Sequence, residues 1–129
     1  MISHSEMVKK LVKSGAQLKE EFTSFDCDLI HATLGICGEA GEILDTIKKT
    51  VIYRKELDKE NIKEELGDIY FYLEQLHQAA GLTREECIQA NIDKLSKRYP
   101  NFEYTDKKAK ERLDKNTKIP TCGYVSEGY

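Results

Sequence analysis

Asp58-Lys59-Glu60-Asn61-Ile62-Lys63-Glu64-Glu65-Leu66-Gly67-Asp68-Ile69-Tyr70-Phe71-Tyr72-Leu73-Glu74-Gln75-Leu76-His77-Gln78-Ala79-Ala80-Gly81 decides how this chain folds. Ile62, Leu66, Ile69, Tyr70, Leu73 and Leu76 recur at the spacing of a helix with one face turned inward. Asp58 is a good N-cap and Gly81 a good C-terminal stop. The pattern predicts a helix from about Lys59 to Ala80.

Upstream, Leu29, Ile30, Leu34, Ile36, Cys37, Ala40, Ile43, Leu44, Ile47 and Val51 form a second apolar stripe, predicting a helix from about Asp26 to Val51. The short connector Ile52 to Leu57 makes these two helices antiparallel neighbours. Further upstream, Met7, Val8, Leu11, Val12, Leu18 and Phe22 read as one amphipathic helix from Ser5 to Phe22, with Gly15 as a weak point. Downstream, Thr83-Arg84-Glu85-Glu86 is a capping box. It opens a helix carrying Cys87, Ile88, Ile92, Leu95 and Tyr99 that stops before Pro100. Asp106 to Lys115 reads as a short charged helix, and Asn116 to Tyr129 as an extended tail.

Composition agrees with an all-α, four-helix-bundle-like fold. Of 129 residues, 40% are apolar and 33% charged, and both prolines, Pro100 and Pro120, fall late. A proline-free stretch of this length suits long helices and disfavours a sandwich of many tight turns. The size corresponds to a single helical domain over residues 1–115, with residues 116–129 as a tail. A net charge of -3 disfavours binding to a nucleic acid polymer. No apolar run approaches the roughly 20 residues of a membrane span. Cys27, Cys37, Cys87 and Cys122 form no C-x-x-C pair and no secretory leader is visible, so a cytoplasmic location is expected.

The chemistry sits on the two central helices. Gly38-Glu39-Ala40-Gly41-Glu42 places two carboxylates at i and i+3, and Glu65-Leu66-Gly67-Asp68 repeats the device. Residues so spaced share a helix face, with Cβ atoms roughly 5–6 Å apart. Antiparallel packing brings the two pairs toward each other beside the apolar seam. Clustered carboxylates repel and resist desolvation. A hard divalent cation removes both problems, and Mg²⁺ takes carboxylates together with substrate phosphates. Glu74-x-x-His77 offers a different metal motif, that of di-iron bundles. Such bundles need two copies, and His77 stands nine residues past Asp68, about 180° around the helix.

Asn91, Lys94 and Arg98 share one stripe of the Thr83-capped helix, and two cations with an amide suit phosphate oxygens. Taken alone, the same stripe also reads as a basic solvent face near a helix C-terminus. Tyr72 lies on the Asp68 face, as core or as a ligand contact. His31 is roughly in line with Gly35 and Glu42, as a structural histidine or the border of a base pocket.

These segments resemble the MazG-like, all-α nucleoside triphosphate pyrophosphohydrolases over about residues 29–100. The resemblance is carried by Gly35-Ile36-Cys37-Gly38-Glu39-Ala40-Gly41-Glu42-Ile43, by Lys63-Glu64-Glu65-Leu66-Gly67-Asp68-Ile69-Tyr70, and by Asn91-Ile92-Asp93-Lys94-Leu95-Ser96-Lys97-Arg98-Tyr99-Pro100. One departure is Gly38, where many members carry a further glutamate. The resemblance implies cleavage of a nucleoside triphosphate between its α and β phosphates. It implies Glu39, Glu42, Glu65 and Asp68 as ligands of Mg²⁺, or of Mn²⁺ as a substitute, with Glu39 or Glu42 assisting as base. It implies Asn91, Lys94 and Arg98 as phosphate contacts, with Tyr72 near the sugar or base. It further implies a homodimer or homotetramer. The alternative is a non-catalytic helical module that binds nucleotide or protein and merely retains the bundle.

Overall fold

The computed structural model describes residues 2–115, and the regular structure among them is entirely helical. In chain order the helices are α1 (His4–Leu11), α2 (Gly15–Glu21), α3 (Ser24–Val51), α4 (Lys59–Ala80), α5 (Arg84–Arg98) and α6 (Asp106–Glu111), with a 3₁₀ turn at Leu113–Lys115. The expected tail, 116–129, lies outside the described residues. The chain divides into two compact units, one ending at Leu82 and one beginning at Thr83.

Local signals set most helix boundaries. The Asp58 side chain accepts from the Asn61 backbone N–H at 3.0 Å, opening α4. Gly81 closes that helix in the left-handed region, at φ 64°, where only glycine is free of a Cβ penalty. Thr83 and Glu86 form the expected reciprocal box at the start of α5. Thr23 and Asp26 form another, starting α3 two residues before the expected position.

The single helix expected over Ser5–Phe22 is in fact two. The hydroxyl of Ser14 accepts from the Gln17 N–H at 3.2 Å, while the Gln17 side chain accepts from the Ser14 N–H at 2.9 Å. This S-x-x-Q capping box satisfies donors that a continuous helix would otherwise have used, and it restarts the chain at Gly15. Ser3, not Ser5, caps α1 through an equivalent box with Glu6.

The first unit is built on the α3–α4 hairpin. Its cross-helix contacts run His31 to Gln75, Gly35 to Tyr72 and Thr46 to Asn61. Position numbers rise along α3 as they fall along α4, so the helices are antiparallel. At Gly35 the helices nearly touch: a Cβ there would overlap the Tyr72 ring. Gly38, Gly41 and Gly67 have open space at the same point. The seam is thin, since Ala32 is the fully enclosed apolar residue among those described. Leu34, Leu44, Tyr70 and Phe71 are each about two-thirds exposed.

In the second unit, α5 is tied to the 3₁₀ turn by Arg98. Its guanidinium donates from Nε to Asp114 Oδ1 at 2.7 Å and from Nη2 to Oδ2 at 2.8 Å. The side chains are 17% and 6% exposed. This is the planar two-point pairing that arginine makes with a carboxylate. It pulls the Asp114 carboxyl down to about 2.

The glycine contacts predict opposite signs for two similar substitutions. Gly35→Ala should destabilise by about 1–3 kcal/mol, because overpacking the Tyr72 ring outweighs the helix preference of alanine. Gly38→Ala, with open space, should stabilise by up to about 1 kcal/mol. Denaturant midpoints of the metal-free protein read both, and equal shifts of one sign would contradict the close approach.

Candidate metal centre

Three carboxylates converge on the hairpin seam. Glu39 and Glu42, one turn apart on α3, meet Glu65 of α4, and one oxygen of each lies within 4.8 Å of the others. The burial is graded: Glu65 is 7% exposed, Glu39 is half-buried and Glu42 is exposed. Asp68, the fourth expected ligand, is exposed one turn beyond Glu65 and stands outside that tight group. Its charge is nevertheless felt at Glu39.

The arrangement is electrostatically unfavourable without a positive partner. Partial burial raises the proton affinity of Glu39. The side chain of Glu65 and the charges of Asp68, Glu42 and Glu65 push it further the same way. The site therefore favours a proton or a cation. The donor set fits a hard divalent ion. Oxygens 2.1 Å from an octahedral ion stand about 3 Å apart in cis and about 4 Å in trans.

Two residues missing from the sequence reading complete the seam. The Asn61 amide donates to Glu65 Oε1 at 2.7 Å, and its carbonyl oxygen accepts from the buried Thr46 hydroxyl of α3. The Asn61 to Glu65 spacing of one helical turn was a legible signal. The Thr46 contact depends on the register between two helices and had none.

At the other end of the hairpin, Tyr72 lies over Gly35 with its ring edge toward His31, centroids 5.9 Å apart at 72°. Gln75 Nε2 approaches His31 Nδ1 at 3.2 Å. His31 and Tyr72 are thus brought together, one to two turns along α3 and α4 from the acids. His77 is largely enclosed, with Nδ1 3.8 Å from Glu74. Of the expected phosphate contacts, Asn91 and Lys94 are exposed on α5, while the fork of Arg98 is engaged by Asp114.

The raised proton affinity of Glu39 has a consequence for stability. Between the ordinary glutamate value of 4.5 and its higher native value, the folded chain holds a proton that the unfolded chain has released. Stability of the metal-free protein should therefore fall as pH rises through that interval. In Glu39→Gln this component should vanish, so the difference between the two pH–stability curves should grow with pH above 4.5 and then level off. Parallel curves would show that Glu39 is not strained by its neighbours.

Comparison with known proteins places the hairpin in a known domain family. The family model for the MazG nucleotide pyrophosphohydrolase domain matches residues 30–103. That interval holds all three clustered acids, Asp68, and the α5 stripe. The chain is also 33% identical over 82 residues to the Gene 37 protein of Mycobacterium phage L5, an alignment covering 57% of this chain and 71% of that protein. No solved structure matches it. More than half of the chain lies within the matched domain, and it belongs to the MazG nucleotide pyrophosphohydrolase family.

Proposed function

We propose that this protein is a divalent-cation-dependent nucleoside triphosphate pyrophosphohydrolase. The observation that carries the reading is the convergence of Glu39, Glu42 and Glu65 from two antiparallel helices. In this reading those three residues, joined by Asp68, hold Mg²⁺, with Mn²⁺ as a substitute. A bound divalent ion neutralises phosphoryl oxygens and activates a water for in-line attack. Glu39 or Glu42 accepts the proton released as water oxygen bonds to one phosphorus of the α–β anhydride. The bond from that phosphorus to the α–β bridging oxygen breaks, giving nucleoside monophosphate and pyrophosphate.

Asn91 and Lys94 bind substrate phosphates, and Arg98 contributes its charge through the Nη1 donors that Asp114 leaves unused. Tyr72 and His31, already in contact, border the sugar or base. The cytoplasm suits the exposed free thiols of Cys27, Cys37 and Cys87. No described helix is long and apolar enough to cross a membrane.

A homodimer or homotetramer is part of the same proposal. Ile30, Leu34, Leu44 and Val51 lie at steps of four, ten and seven residues on α3, each at least 40% exposed. Helices that display such an apolar stripe are normally covered. A second copy of the chain is the occupant we assign. Light scattering should give at least twice the chain mass at micromolar concentration, and a monomer at every concentration would refute the assignment.

The reaction is tested by product analysis. Activity should require Mg²⁺ or Mn²⁺ and release pyrophosphate, with no primary orthophosphate. Glu42→Gln and Asp68→Asn should each weaken metal binding and lower the rate by orders of magnitude, since metal polarisation is worth several kcal/mol in the transition state. Lys94→Ala should leave metal affinity intact, because an ammonium carries no lone pair to offer, and should act on KM, kcat or both. An unchanged rate in EDTA would overturn the reading.

A further inference from the structure

Thr46 and Glu65 are the two buried polar residues among those described, 5% and 7% exposed, and they lie on opposite helices of the hairpin. Buried polar groups require partners. Asn61 supplies one to each. The NH₂ of the Asn61 amide donates to Glu65 Oε1 at 2.7 Å. The carbonyl oxygen must then face Thr46, whose hydroxyl donates. The backbone N–H of Asn61 is separately held by the Asp58 cap at 3.0 Å. The side-chain amide is thus held by Glu65 of its own helix and by Thr46 of the facing one.

We propose that Asn61, locked by Thr46, is a positioning residue for the cation site: it occupies Oε1 of Glu65, so that Glu65 meets the ion through Oε2 alone. This inference rests on reading the three acids as a cation site. Its chemical consequence is selectivity. Mg²⁺ and Mn²⁺ suit single-oxygen ligands in compact octahedral geometry, whereas Ca²⁺ readily takes both oxygens of one carboxylate. Holding Oε1 away from the ion disfavours the two-oxygen mode. Partners that orient a metal-ligating carboxylate typically change metal affinity by about 10–100-fold when removed.

The test is calorimetric titration of the full chain with Mn²⁺ and, separately, with Ca²⁺, without nucleotide. Asn61→Ala should weaken Mn²⁺ binding by about tenfold and reduce the preference for Mn²⁺ over Ca²⁺. Thr46→Val should shift both in the same direction, while Thr46→Ser, which keeps the hydroxyl, should restore wild-type values. Combining Asn61→Ala with Thr46→Val should add nothing further for Mn²⁺, because Thr46 acts through Asn61. Helix content by circular dichroism reports folding. If Asn61→Ala does not fold, Thr46→Val against Thr46→Ser decides alone, and equal affinities in that pair overturn the proposal. Wild-type Mn²⁺ affinity in Asn61→Ala, alongside lost binding in Glu65→Gln, overturns the positioning role and leaves the cation site standing. Wild-type affinity in Glu65→Gln removes the cation site itself, and the inference with it.

Discussion

Carboxylates repel one another, and this hairpin gathers three of them where two helices meet. Everything near the seam bears on that constraint. Asn61 and Thr46 give Glu65 a donor where no water can reach it freely. Glu39 responds by holding its proton more tightly. The exposed side chain of Glu42 retains solvent. The remaining imbalance is electrostatic, and a small divalent cation is the kind of group that would offset it. Without a cation the hairpin carries a charge arrangement that a bound cation would make more favourable.

Packing contributes less than the length of α3 and α4 suggests. With Ala32 as the enclosed apolar residue, the hairpin gains little from its own seam. The side chains that would ordinarily fill a core instead face outward. In the assembly proposed above, a second copy would cover those side chains, and the stability of the unit would then depend on concentration.

Much of this was readable in the residues. Asp58, Gly81 and Thr83 fixed the ends of α4 and the start of α5 because a cap is a local event with a local signature. The two acid pairs were legible because helical spacing converts sequence distance into direction. The break before Gly15 was also written in the chain, as Ser14-x-x-Gln17, but the apolar period across it is the stronger pattern to the eye and runs straight through. What could not be read were contacts set by register or tertiary placement. Thr46 reaches Asn61 fifteen positions away, and Arg98 closes on Asp114 sixteen away. Nothing in local periodicity marks either partner. The phosphate role expected for Arg98 met a carboxylate for the same reason: a guanidinium recognises both anions with one geometry.

The contact between Gly35 and Tyr72 imposes an order on sequence change. A side chain at position 35 is costly while the aromatic ring stays in place. Loss of the ring first would leave room, after which many residues fit at 35. Two substitutions that are compatible together are therefore cheaper in one order than in the other. A mutagenesis library that varies one position at a time would therefore score position 35 as less tolerant than it becomes once position 72 has changed.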